Sequence, residues 1–259
     1  MKRIVLIGSG NLAEALARAL SKSPLEAVQL YARNRERGPE VARLAGCPWT
    51  DDPQQLDRTA DLYLIAVSDR AVGEVASRLP IPEGAVVAHT AGSVPLEALP
   101  ERYARRAVFY PMQTYTRGRE VDFTQIPIFL ETSSPEWGPE LEEAARALSR
   151  HVIWADSARR AKVHLAAVFA CNFANHMYAI GEEVVRSAGL DFGVLKALIA
   201  ETAAKACDAR SPRDVQTGPA VRNDIPTLER HLRLLDGETT LQEIYTQISK
   251  NIWKTSRNQ

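Results

Sequence analysis

The chain has 259 residues, 45% of them hydrophobic and 25% charged, and 32 Lys and Arg residues balance 32 Asp and Glu residues. These proportions describe an ordinary globular protein long enough for about two domains, and they exclude disordered and fibrous classes. Zero net charge, with no basic stripe interleaved with aromatics, argues against nucleic acid as a partner.

The apolar run Ile4-Val5-Leu6-Ile7 breaks into Gly8 and lacks a small-residue cleavage pattern, so it reads as a first strand and not as a signal peptide. Further β-rich runs follow at residues 27–31, 62–67, 85–89, 107–110, 126–130 and 152–154, alternating with amphipathic stretches. That alternation predicts a parallel sheet covered by helices. Between the first two strands Leu12, Leu16, Ala19 and Leu20 form one apolar stripe of a helix. Beyond about Asp156 the β-branched runs cease, and roughly 100 residues rich in Ala, Leu, Glu and Arg read as helical, punctuated by Gly189, Ser211-Pro212 and Gly218-Pro219. The longest stretch without Asp, Glu, Lys or Arg, residues 163–181, contains His164, Asn172, Asn175 and His176, which argues for a buried helix of a soluble protein and against a membrane span. Cys47, Cys171 and Cys207 are widely spaced, with no CxxC pair, and fit a cytoplasmic protein without disulfides.

The first chemical signal follows strand one. Gly8-Ser9-Gly10-Asn11-Leu12-Ala13 is a G-x-G-x-x-A sequence opening a helix. Gly8 permits the tight turn, Gly10 admits a pyrophosphate close to the backbone, and Ala13 lets helix and sheet pack closely. The helix N-terminus adds free N–H groups and a positive dipole end. An NAD site would place a carboxylate about 20 residues on, where this chain has Arg33-Asn34-Arg35. Two guanidiniums suit the extra 2′-phosphate of NADP, with Asn34 adding a polar contact.

Val67-Ser68 and Thr90-Ala91 follow further strands and are expected to line the cofactor, with His89 and Gln113 as additional candidates at strand ends. On a regular helix at 100° per residue, His164 lies about 20° from Asn175, Asn172 about 60° from Asn175, and His176 about 40° from Asn172. The resulting polar face lines a wet pocket or forms a paired network; both remain open. A histidine suits proton donation to a carbonyl or imine that receives hydride. In the loop Thr217-Gly218-Pro219-Ala220-Val221-Arg222-Asn223-Asp224, Asp224 is placed to cap a helix over 226–235, and Arg222 is free to reach an anion.

The glycine motif with Arg33-Asn34-Arg35 resembles the N-terminal domain shared by pyrroline-5-carboxylate reductase and related NADP-dependent reductases. More closely, the order Val67-Ser68-Asp69, His89-Thr90-Ala91-Gly92, Tyr110-Pro111-Met112-Gln113, Lys162 to Ala167 with Asn172, and Thr217 to Asp224 with His231 is similar to a bacterial family of Rossmann-like proteins whose C-terminal helical domain has no assigned function. The resemblance spans nearly the whole chain. It implies an α/β fold, with an N-terminal Rossmann domain followed by an all-α domain like the C-terminal domain of 6-phosphogluconate dehydrogenase, a homodimer joined through the helical domains, and an active-site cleft between domains. Two departures matter. β-Hydroxyacid dehydrogenases carry Asn four residues after a catalytic Lys, whereas Ala166 follows Lys162 here, and the Gly-Gly-Thr-Thr segment of pyrroline-5-carboxylate reductases is absent.

The expectation is an NADPH-dependent oxidoreductase of a small, carboxylate-bearing metabolite, with residues 1–155 binding NADP and 156–259 serving substrate and dimer contacts. His164 would give the proton, Asn172 and Asn175 would position the substrate, and Arg222 would hold its carboxylate. The alternative is a non-catalytic NADP-binding sensor or scaffold dimer. No His, Asp or Glu spacing matches a metal-ligand set.

Overall fold

The structure, a computed structural model, describes residues 1–257. In chain order the elements are β1 (Arg3–Ile7), α1 (Asn11–Ser21), β2 (Glu26–Tyr31), α2 (Arg37–Ala45), β3 (Trp49–Thr50), β4 (Leu62–Ile65), α3 (Val72–Arg78), β5 (Val86–His89), β6 (Arg105–Pro111), β7 (Ile128–Thr132), α4 (Gly138–Arg146) and β8 (Val152–Trp154). Helices follow: α5 (Ser157–Ala167), a π-helical turn (Val168–Phe173), α6 (Ala174–Ser187), α7 (Gly193–Asp208), α8 (Ile225–Leu234) and α9 (Thr239–Ser256).

One sheet runs β3-β2-β1-β4-β5-β6-β7-β8. Period-two side-chain alternation explains why its central strands β1, β4 and β5 are apolar on both faces. Ile4, Leu6, Leu62, Leu64, Val86 and Ala88 enter the apolar layer on one face. Val5, Ile7, Tyr63, Ile65 and Val87 enter the layer on the other. Within the first layer α1 packs through Ala13, Leu16, Ala17 and Leu20, so the helical stripe read from the sequence forms, widened by alanines that let the helix lie close.

The sheet departs from the all-parallel expectation at one place. β6 and β7 pair antiparallel, Phe109 opposite Leu130, whereas β7 and β8 pair parallel. An apolar run buried on both faces carries no signature of its direction, so the reversal was hidden from periodicity. The two-residue β3 was also missed, because Trp49-Thr50 is too short to show a pattern.

The chain divides into two compact units, Met1–Ala174 and Asn175–Gln259. In the first, Asp156 caps α5, its side chain accepting from the Arg159 N–H at 2.7 Å. In the second, Asp224 caps α8, accepting from the Thr227 N–H at 3.3 Å with Pro226 in the first turn, as its sequence position suggested.

The expectation of a buried helix over 163–181 is corrected. None of these residues is buried, and Leu165, Phe169 and Phe173 are exposed. Helical spacing and apolar composition report what a helix can bury, not whether the same chain covers it. The regular 100° spacing fails as well, because the π-helical turn inserts a residue and advances later positions by about 100°. The polar face calculated for His164, Asn172, Asn175 and His176 assumed an unbroken α-helix.

α5 is tied to the sheet by Arg160, whose side chain is only 1% exposed. Its guanidinium pairs with Glu131 on β7 and donates to the Val94 carbonyl and to Ser157 Oγ. Ser157 Oγ in turn donates to Glu131 at 2.8 Å and accepts from the Leu96 N–H at 3.1 Å. Truncating one member of a buried pair strands the other charge, a loss of about 3–5 kcal/mol. Arg160→Met is therefore expected to lower stability by about 3 kcal/mol in urea unfolding, and a loss under 1 kcal/mol would show that Glu131 is solvated without its partner.

Candidate active site

The strands β1, β4, β5 and β6 run parallel, so their carboxyl ends deliver loops to one edge of the sheet. At the end of β1, Gly8 has φ +122°, and a Cβ there would lie 2.2 Å from the Ala66 carbonyl oxygen. Glycine alone fits both the conformation and the close approach. A Cβ on Gly10 would meet nothing within 4 Å, so the helix entrance is open. Gly10 serves as the N-cap of α1 without any side-chain cap, so no side chain of the cap residue occupies the first-turn N–H groups, the donors that a helix start can offer to an anion.

A crevice of about 470 Å³ lies over this entrance. It brings together Gly8, Ser9, Gly10, Asn11 and Leu12 with Arg33 and Asn34 after β2 and Val67 and Ser68 after β4. The remaining cofactor candidates stand elsewhere. Ala13 is buried on the face of α1 that packs into the apolar layer. Thr90 and Ala91 are buried as well, and the Thr90 hydroxyl donates to the Ile65 carbonyl at 3.2 Å, joining β5 to β4. Arg35 is turned away from the crevice, its Nε 2.6 Å from Asp51. Asn34 accepts from the N–H groups of Glu36 and Arg37 at 3.0 and 2.9 Å, holding the turn into α2. Among the described residues Arg33 forms no ion pair.

Arg37, the third cation of that run, is fixed between Glu14 at 2.6 Å and Glu40 at 2.7 Å. Burial alone would push the Glu14 carboxyl up, but Arg37, the Gly118 N–H and Arg18 together hold it below the usual range. Through Gly118, and through the Asn11 side chain donating to the Tyr115 carbonyl at 3.0 Å, the loop after β6 is fastened across the start of α1.

Two strands further along the same edge, Tyr110 and His164 meet. The Tyr110 hydroxyl lies 3.3 Å from His164 Nδ1. Asn172 is exposed in the π-helical turn, and Asn175 and Arg222 are exposed in the second unit. His89, a candidate for contact with substrate, is fully buried instead; its Nδ1 accepts from the Ala91 N–H at 3.2 Å and shapes the loop after β5.

Comparison with known proteins places this geometry in context. A family profile described as NADP oxidoreductase coenzyme F420-dependent matches residues 3–92, which include the glycine turn. A second, a domain of unknown function, DUF2520, matches residues 126–252. The crystal structure of BF3122 from Bacteroides fragilis, a candidate NADP oxidoreductase, is 40% identical, with 98% of each chain covered and a TM-score of 0.88. This chain belongs to the family of BF3122. TM1727 from Thermotoga maritima (21% identity, 98% and 99% coverage, TM-score 0.81) and a pyrroline-5-carboxylate reductase from Coxiella burnetii (17%, 98% and 97%, 0.56) share the fold. A comparison with curated proteins finds no match.

As in any nicotinamide-dinucleotide oxidoreductase fold, the BF3122 family member presents its strand ends to the ligand crevice. The strand end that carries Tyr110 is visible in the sequence, but its pairing with His164 is not. Glu14 and Arg160 were also passed over. Charged residues inside apolar helical spacing are the signature of such buried pairs.

Burial, with the Arg160 guanidinium adding to it, pushes the His89 imidazole down to about 4 from 6.5. The unfolded chain therefore binds a proton between those values that the folded state refuses. The stability this provides is complete above pH 6.5 and is lost as pH falls through 4. Urea unfolding is expected to lose roughly 3 kcal/mol across this window on account of His89, and His89→Asn should flatten the slope. A wild-type slope in that variant would assign the pH dependence to other groups.

Proposed function

We propose that this protein is an NADPH-dependent oxidoreductase that reduces the C=O or C=N bond of a small, carboxylate-bearing metabolite. The observation that carries this reading is the crevice over Gly8 and Gly10, lined also by Arg33, which forms no ion pair among the described residues. A side-chain-free backbone and an uncapped helix N-terminus suit a pyrophosphate, and a guanidinium where NAD sites have a carboxylate suits a 2′-phosphate. The bound dinucleotide supplies the hydride; the chain supplies orientation, a proton and exclusion of water.

In this reading residues 1–155 hold the dinucleotide and 156–259 carry substrate and dimer contacts, in the cytoplasm. Gly8, Ser9, Gly10, Asn11 and Leu12 cradle the pyrophosphate, Ala13 keeps α1 close to the sheet, and Val67, Ser68, Thr90 and Ala91 shape the nicotinamide side. Arg33 is the primary phosphate ligand. Arg35 joins it by leaving Asp51, an exchange that is cheap because exposed ion pairs contribute about 0–1 kcal/mol. His164 gives the proton, Asn172 and Asn175 orient the substrate, and Arg222 binds its carboxylate.

The test is thermal unfolding with NADPH and NADH at matched concentrations. A ligand at a hundred times its dissociation constant stabilises by about 2.7 kcal/mol, a shift of several degrees. NADPH is expected to shift the transition more than NADH, and Arg33→Ala to reduce the NADPH shift to the NADH level. Equal shifts in the wild type would overturn the NADP assignment, and no shift would remove the cofactor. NADPH consumption across a panel of 2-keto and cyclic imino acids then identifies the substrate class.

We infer also that the protein forms a homodimer through its helical part. In the first unit Phe169 is 62% exposed alongside Leu165, and in the second Leu234 is 82% exposed alongside Val194 and Leu198; exposed apolar side chains on helices are what an interaction face supplies. Light scattering is expected to give twice the chain mass for the wild type and the single chain mass for Phe169→Glu. A monomeric wild type would refute the dimer.

A further inference from the structure

Three elements converge where Tyr110 meets His164. Tyr110 is the penultimate residue of β6, His164 stands in the last turn of α5, and Gly92 lies in the loop leaving β5. The two rings are T-shaped, their planes 62° apart and centroids 6.1 Å apart. A Cβ on Gly92 would stand 2.6 Å from Tyr110 Cζ and 2.7 Å from His164 Nδ1, so any side chain there would force the pair apart. Gly92 has no left-handed φ to explain it. Its lack of a side chain is what gives the two rings room.

We propose that Tyr110 is the positioning residue for His164: its hydroxyl engages Nδ1, so that Nε2 is the ring nitrogen that hands a proton to substrate, and Gly92 is the gap that lets this pair form. The proposal rests on the reading of His164 as proton donor. A histidine whose Nδ1 is held has one orientation and one free nitrogen, whereas an unheld ring samples both tautomers. A hydroxyl suits the task because it accepts from Nδ1–H of the imidazolium and stays a partner after the other nitrogen has lost its proton.

A bound reduced nicotinamide would supply the hydride; as the substrate carbon accepts it, the C=O or C=N π bond breaks. Its electron pair moves to oxygen or nitrogen, which takes the Nε2 proton. The imidazolium becomes neutral imidazole, and solvent restores the proton. Burial first, and the Asp69 carboxylate second, raise the Tyr110 phenol above its usual range against an opposing effect of Arg160. Tyr110 therefore remains a neutral hydroxyl, able to hold Nδ1 without becoming a competing base.

The test reads the ring itself in the full chain. Long-range proton–nitrogen spectra of histidine-labelled protein, with His164 signals identified by their loss in His164→Gln, report which nitrogen carries the proton. The wild type is expected to hold the neutral His164 ring in a single tautomer. Tyr110→Phe, which removes only the hydroxyl, and Gly92→Ala are expected to give a mixture. Unchanged His164 signals in Tyr110→Phe would overturn the pairing, whatever the fate of Gly92→Ala. With a substrate from the panel, Tyr110→Phe is expected to lower kcat about tenfold with KM unchanged, and to have no further effect in His164→Gln. Additive losses would overturn the claim that Tyr110 acts through His164. Full kcat in His164→Gln would instead remove the donor assignment, with the ring signals still reporting on the pair, so the two failures are distinguishable.

Discussion

A guanidinium with almost no access to water organises the edge of the sheet that carries the candidate active site. Moving a charge out of water is expensive, and a side chain such as Arg160 persists there only with its carboxylate and carbonyl partners in place. Those partners come from β7, from the loop after β5 and from the first turn of α5. Satisfying one charge therefore fixes three segments relative to each other. His164 stands four residues beyond Arg160, on the same face of the helix. The ion pair that seats Arg160 against Val94 thus also carries His164 over Gly92, two residues earlier in the same loop.

The same edge uses missing side chains as deliberately as charges. Gly8 brings the end of β1 against the Ala66 carbonyl, and Gly92 lets Tyr110 and His164 meet. In each case a single methyl group would occupy space already taken, so the substitution acts on geometry with no change of charge. Gly10 is a different case, because nothing lies near its absent Cβ. Of the two motif glycines, Gly8 is thus required by the protein's own packing, and Gly10 leaves room for something that is not protein.

How far the sequence could be read follows from which interactions are local. Strand and helix positions depend on residue spacing within short windows, and β1, α1, β2, β5, β8 and the helical run after Asp156 were all visible that way. The glycine turn between β1 and α1 was legible for the same reason, since its residues are contiguous. Three features depended on distant partners and were not. The antiparallel β7 is set by which strand edge was free. The placement of Arg35 is set by Asp51, 16 residues away. The Tyr110–His164 pair joins residues 54 apart. The π-helical turn at Val168–Phe173 is a further kind of miss, because one inserted residue shifts every later position while leaving composition and apolar content unchanged.

Arginine shows most directly why a residue type does not settle a role. The run from Arg33 to Arg37 offers three guanidiniums within five residues, and the sequence assigns all of them the same chemistry. Burial separates them. Arg37 lies between Glu14 and Glu40, and removing it would take from the buried Glu14 carboxylate the shorter of its two ion pairs. Arg35 is exposed and held only by Asp51, an attachment that screening makes weak. Arg33 has no ion-pair partner at all among the described residues and stands at the crevice. The more a cation is needed by the fold, the less of it is left for a ligand, and along this turn availability falls from Arg33 through Arg35 to Arg37. Of the three only Arg33 lines the crevice with Gly8 and Gly10, so the cation beside the glycine turn is the one that forms no ion pair among the described residues.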